Sequence, residues 1–445
     1  MSEKKNLYYI CGLLAVGIAL GAAAGIMGKP AEGVRPSADT QPATAEPDTG
    51  KEEGGQDSGK ETAAAKVAEK GTGITVTKAD DWAAQFPNQY ETYMMNNDNS
   101  EVVEYTEEHP YIQRIYAGYG FAKSYGSARG HTYVITDLTS TGRPHKLANC
   151  FTCKTSSFTA KALNDGDSAY AMAFEDFADQ VTDPFGCFHC HSNEPGTMYV
   201  THTYLSDALG DDLTKVEAAT LSCGQCHSEY YFDPATKATT FGYTSLAGMN
   251  PDDMLAYENA IVDGEGNMFA DWVDEENGIR KLKVQHPEFE TFLGETSPHG
   301  SANAMLKLTC ADCHMGETKA DDGTVFTNHN WTSPLDNQAL LDSNCSQCHK
   351  DLKAEVEKIQ GEYWEKVDAD AEQLKALNDQ LTAAINAGTI ADDKLEDCRM
   401  ALRSAQWYWD FVFVENSNGV HNPKLTAHCL EQAETFMTQA ADLLK

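Results

Sequence analysis

The chain has 445 residues, with 33 Lys and Arg against 68 Asp and Glu, a formal charge of −35. So acidic a surface repels nucleic acid and keeps the protein soluble, and any site for a small anion has to be locally basic. Length alone suggests about three domains, yet 13 Cys and 14 His point to prosthetic groups that supply much of the apolar core.

Lys4 and Lys5 precede an apolar run from Leu7 to Met27, the pattern of an export signal. The run is long enough to span a bilayer, whereas Ala22-Ala23-Ala24 would support cleavage. A retained membrane anchor over residues 7–27 is the expectation. Cys11 lacks a small residue before it, which argues against a lipid anchor. Gly28 to about Gly73 is rich in Gly, Ala, Pro, Glu and Thr and has no apolar periodicity, so it reads as a disordered tether.

Next come five Cys-x-x-Cys units. Four end in His: Cys187-Phe-His-Cys190-His191, Cys223-Gly-Gln-Cys226-His227, Cys310-Ala-Asp-Cys313-His314 and Cys345-Ser-Gln-Cys348-His349. Composition alone predicts roughly 0.01 such matches. The unit is the attachment site of a c-type haem: two thiols bind the porphyrin edge and the His becomes an axial iron ligand. Zinc would pair two Cys-x-x-Cys units and would not require a His after each. The first unit, Cys150-Phe-Thr-Cys153-Lys154, ends in Lys. Upstream of four haem sites it reads as a fifth haem, and as the one where chemistry happens.

From Asp351 the pattern changes. Leu352, Val356, Ile359, Tyr363, Val367, Ala371, Leu374, Leu377, Leu381 and Ile385 recur every three or four residues, which predicts one long amphipathic helix ended by Gly388. Thr389 and Asp392 are placed to cap a second helix over about 392–414. A third is predicted over about 424–444. Helices of this length suit a homodimer interface. Cys398 and Cys429 lie outside the haem units, either as a disulfide or as buried free thiols.

Four bis-histidine haems need eight His. Beyond the units, the candidates are His109, His131, His145, His189, His202, His286, His299, His329, His421 and His428; spacing alone does not single out four. His109 reads as a surface residue, and His145, His189, His202 and His428 take no assigned role.

One Cys-x-x-Cys-Lys followed by four Cys-x-x-Cys-His resembles the pentahaem cytochrome c nitrite reductases, which form ammonium. Further segments share the resemblance: Arg129-Gly130-His131, Thr136-Asp137-Leu138 with Thr141 and Arg143, Ser228-Glu229-Tyr230-Tyr231-Phe232, and Lys283-Val284-Gln285-His286-Pro287. The resemblance covers about Val76 to the C-terminus. It implies a mainly α multihaem fold with little β, five covalent haem c groups and Ca²⁺. It also implies that His131 is the distal ligand of haem three, His299 of haem five, His329 of haem two and His421 of haem four. Lys154 becomes the proximal ligand of haem one. Arg143, Tyr230 and His286 become the distal wall, with Arg129 the rival for the arginine's role. Glu229 and Gln285, with the carbonyls of Tyr230 and Lys283, become an all-oxygen cation site, which suits calcium rather than zinc.

The implied organisation is a signal or anchor at 1–28, a linker at 29–73, a catalytic domain at 74–350 and a helical region at 351–445 that completes the haem domain and forms the dimer contact. The implied reaction is reduction of nitrite to ammonium on the outer face of the cell membrane or in the periplasm, fed by a membrane multihaem quinol dehydrogenase. The alternatives are a multihaem electron carrier with every iron closed, or a related reductase of another small nitrogen or sulfur oxyanion.

Overall fold

The computed structural model describes residues 64–144 and 147–445. The apolar run at 7–27, the tether up to residue 63 and His145 lie outside the described residues. Among the described residues, no helix is long and apolar enough to cross a membrane.

Residues 64–73, expected within the linker, are laid along the body instead. Lys66–Val67 pairs in parallel with Tyr199–Val200: Lys66 N donates to Met198 O and Ala68 N to Val200 O, each at 2.9 Å. A two-residue strand leaves no periodicity to read, so its partner alone defines it.

From Ala79 to Gln347 the chain runs through short helices and 3₁₀ turns, none longer than ten residues. The described strands form four two-stranded ladders. These short elements bury small apolar clusters, such as Phe151, Phe158, Phe174 and Phe177, and they also surround a large cavity.

The three long helices are Leu352–Ala387, Asp392–Phe413 and Pro423–Leu443. The first is capped by Asp351, which accepts from Ala354 N at 3.1 Å. It ends where Gly388 turns left-handed at φ 62°, a conformation that favours glycine. The expected cap on the second helix is not made. Ala391 occupies the cap position without a side-chain bond, because Thr389 turns back and donates from Oγ1 to Ala384 O at 3.3 Å. The third helix starts as its sequence suggests, with Asn422 accepting from Leu425 N at 3.1 Å and Pro423 at its first position.

The second helix is the spine. Every residue from Ala401 to Phe413 is buried, the mark of a helix enclosed on all sides. Its Trp409 ring stacks on Phe413 at 4.6 Å and donates from Nε1 to Val367 O of the first helix at 3.0 Å. Cys398 and Cys429 are both buried free thiols, so no disulfide joins these helices. His109 is a correction as well: it is not a surface residue. Its ring stacks on Trp364 of the first long helix at 4.7 Å, and Tyr111 Oη lies 3.0 Å from its Nδ1.

Candidate active site

Each Cys-x-x-Cys unit occupies about one turn, which puts its two thiols on one face. In the second, third and fifth units the terminal His N–H closes onto the first Cys carbonyl at 2.9 Å. Thr309 and Asp312 form a capping box that starts the fourth unit's helix. The first unit is wound tighter: Lys154 N donates to Phe151 O at 2.9 Å, one residue nearer than in the His units. A helix starting at Ser156 follows at once, with Thr155 accepting from Ser157 N at 3.1 Å. In the third unit Gly224 is required by packing, since a Cβ there would lie 2.2 Å from the Phe289 ring.

The structure brings together the His pairs that the resemblance implies. Ring centres of His191 and His329 are 6.4 Å apart, of His227 and His131 6.0 Å, of His314 and His421 6.2 Å and of His349 and His299 6.2 Å. Two metal–imidazole bonds of about 2.0 Å, with each ring centre about 1.2 Å beyond its nitrogen, would separate such centres by about 6.4 Å. Five of the eight outer nitrogens are anchored as metal-bound imidazoles require, whereas Nδ1 of His131 and His299 has no hydrogen-bond partner among the described residues. Nδ1 of His191, His314 and His329 faces the carbonyls of Thr197, Thr332 and Thr327, each at 2.9 Å. Nδ1 of His421 faces Glu415 at 2.6 Å and Nδ1 of His349 faces Glu355 at 2.7 Å.

One continuous cavity of about 2780 Å³ is lined by all ten unit cysteines, Lys154 and all eight paired histidines. A fifth of it, about 560 Å³, falls within the range of about 300–1,000 Å³ for a single cofactor pocket. Volume, thiols and imidazole pairs therefore fit five haem groups. Gln225 ties the second and third units together, accepting from Thr201 N at 2.9 Å and donating to His189 O at 2.7 Å. Cys153 and Cys226 of the first and third units meet beside His202, their ligating atoms within 4.8 Å.

Arg143, Tyr230 and His286 all line this cavity. Arg143 lies 4.3 Å over the Phe121 ring and donates from Nε to Thr141 Oγ1 at 3.2 Å. Arg129 lines the cavity too, but it is committed elsewhere. Its Nε bonds Asp137 at 3.1 Å, and its guanidinium lies 4.0 Å over Tyr133. Arg143 and Tyr230 both lie within electrostatic reach of Cys150. Burial pushes the Tyr230 phenol well above its usual range, so it remains a donor.

The cation segment folds into one spot behind that wall. Gln285 N donates to the Glu229 carboxylate, and Gln285 Nε2 donates to Lys283 O at 3.0 Å. The Lys283 amine turns away to Asp410 at 3.1 Å and Val284 O at 2.6 Å, leaving only its carbonyl at the site. Burial, with Glu258 and Glu290 nearby, pushes the Glu229 carboxyl well up. A cation would relieve that cost, and the donor set is all oxygen once the Gln285 carboxamide is turned over.

Several residues escape sequence reasoning. His189 and His202 are buried rather than idle: His189 Nδ1 lies 3.1 Å from Ser156 Oγ, and His202 Nε2 lies 3.0 Å from Thr152 O. Asp271 lines the cavity and accepts from Lys283 N at 2.7 Å; burial pushes its carboxyl up to about 6. Glu288 sits beside His227 and His286 at 3.7 and 4.0 Å. Burial opposes its ionised form, but the two imidazoles outweigh that and hold its carboxyl well below the usual range. Its only sequence signal is its place two residues after His286.

Residues 78–445 match the cytochrome c552 family, and the chain belongs to it. The cytochrome c nitrite reductase subunit NrfA of Nitratidesulfovibrio vulgaris is 32% identical over 413 residues, covering 81% of this chain and 76% of that protein. Cytochrome c-552 of Aliarcobacter butzleri is 29% identical over 406 residues, covering 83% and 78%. Among solved structures, the catalytic subunit of the Desulfovibrio desulfuricans cytochrome c nitrite reductase, which has two calcium sites, superposes with a TM-score of 0.73. It is 28% identical and covers 84% of this chain and 87% of that one.

Proposed function

We propose that this chain reduces nitrite to ammonium at the haem held by Lys154. It is an oxidoreductase of the ammonia-forming cytochrome c nitrite reductase type, with five haem c groups and calcium as cofactors. One nitrite takes up six electrons and eight protons and leaves as one ammonium and two waters. The reading is carried by the pairing: each unit histidine has a further histidine 6.0–6.4 Å away, with His286 also beside His227, whereas the first unit offers Lys154 instead. When bound, the haems would supply the redox chemistry: the four histidine pairs would hold four of them, and Lys154 would hold the fifth, where nitrite would react.

The chain's own residues do the rest. Arg143 attracts the anion and donates hydrogen bonds to its oxygens. His286 turns Nδ1 toward Glu288, which leaves Nε2 to hold and deliver a proton. Tyr230 adds a phenol donor. Glu229, the carbonyls of Tyr230 and Lys283, and Gln285 hold calcium, which fixes Tyr230 and His286 on one rigid wall and makes the pocket more positive.

The protein works outside the cytoplasm and is a homodimer. Its anchor is the run at 7–27, joined to the body by the linker, and its dimer contact is the region 351–445. Its electron donor is a membrane multihaem quinol dehydrogenase. The test is the five-haem protein with reduced viologen and nitrite, following ammonium. Ammonium formation upholds the reading, and its absence from fully loaded protein sinks it in favour of an electron carrier.

A further inference from the structure

Glu288 has no part in the reading above, yet it lies between two of its central histidines. Oε2 is 3.7 Å from Nδ1 of His227, and Oε1 is 4.0 Å from Nδ1 of His286. The two rings stand edge to face with centres 5.9 Å apart. This contact differs from the four ligand pairs, because here both rings turn Nδ1 to a common carboxylate. Glu288 is 8% exposed. Its Oε2 and Nδ1 of His286 are buried without a hydrogen-bond partner among the described residues. Oε2 is thus left to His227, and among the carboxylates of the described residues Nδ1 of His286 has only Oε1 of the same group within 4.0 Å.

The carboxylate is held from behind. Oε1 accepts from Asn416 N at 3.2 Å and from Asn416 Nδ2 at 2.6 Å. The next residue, Phe289, donates its N–H to His227 O at 2.9 Å and packs its ring where Gly224 leaves room. The segment 286–289 is thus strapped to the third Cys-x-x-Cys-His unit, and the glutamate cannot swing out to solvent.

We infer that Glu288 is a positioning residue that serves both histidines at once. It orients His286 so that Nε2 faces nitrite, and it places negative charge against Nδ1 of the haem-three ligand His227. The inference rests on the roles proposed above for those two residues. A carboxylate against Nδ1–H fixes the ring's tautomer and makes Nε2 a stronger donor to iron, which favours the oxidised metal and lowers its potential. One carboxylate shared by two rings also links them: drawn toward one, it loosens its hold on the other. The geometry of the proton donor and the potential of the haem beside the reaction site are therefore set together.

The test uses the five-haem protein. Glu288→Gln keeps the size of the side chain and an oxygen for Asn416, and removes the charge. The expected result is a higher midpoint potential for haem three in a spectroelectrochemical titration. It is accompanied by a fall in kcat for nitrite of about 10- to 100-fold, larger than any change in KM. Asn416→Ala touches neither histidine, frees the carboxylate and moves both readouts in the same direction. An unchanged haem-three potential in Glu288→Gln overturns the inference, whether or not activity falls. Should that variant not mature, unchanged potential and kcat in Asn416→Ala overturn it instead. Wild-type protein that makes no ammonium would defeat the proposed function, while the haem-three potential would still decide the Glu288–His227 link.

Discussion

Arg143 and Arg129 carry the same charge and meet different neighbours. Asp137 neutralises Arg129, while Arg143 keeps its charge for the cavity, propped by Phe121 and Thr141. Replacing Arg143 by Gln is expected to lower kcat/KM for nitrite by about 10²–10³-fold, the usual loss of one charge-stabilising donor. Arg129→Gln is expected to cost stability and leave kcat/KM close to wild type. Steady-state rates with reduced viologen distinguish the two, and equal losses would contradict the assignment. At this scale the sequence is most legible where chemistry dictates spacing, in the five units; the Lys-x-Gln-His segment and Ser-Glu-Tyr are legible only through the resemblance. Asp271, Gln225 and the contact of Glu288 with His227 are not legible, because each joins residues at least 12 apart in sequence. His131 is found only through its resemblance, since nothing in its own spacing separates it from His189.

Among the elements, the long helix Leu352–Ala387 hides a titrating acid. Asp370 is buried on the face that carries Val367, Ala371 and Leu374. Burial pushes its carboxyl up to about 6, helped by Glu434 of the third helix and opposed by Lys366 of its own. The fold therefore prefers the protonated acid. That preference is fully present below the unfolded value of 3.8 and is lost as pH rises through about 6. Asp370→Asn removes the loss, so the variant gains on wild type as pH rises from about 4 to 7, by at most about 3 kcal/mol. Thermal melts of the five-haem proteins across that range check it, and a gap that stays constant with pH would contradict it. The three helices themselves were readable from period and punctuation, because Gly388, Asn422 and Pro423 act locally. The start of the second was not, since the Thr389 hydroxyl bonds back to Ala384 O of the preceding helix instead of capping the next one.

For the molecule as a whole, the shortness of the elements among the described residues before 351 has one cause. A chain that packs around haems needs cavity walls more than a core of its own, so its helices stay short and its thiols and imidazoles converge on about 2780 Å³ of space. That arrangement was legible as a haem count but not as a shape, because the contacts between units run through Gln225, Cys153 and Cys226 rather than through any local pattern. The strand at Lys66–Val67 was missed for the same reason. The central claim is that one iron of five, the one on Lys154, is open to nitrite. An electron paramagnetic resonance spectrum of the resting five-haem protein, recorded before and after nitrite is added, tests it most directly. A high-spin signal amounting to one haem in five that nitrite converts is the expected result. Five low-spin haems that nitrite leaves untouched would contradict the account.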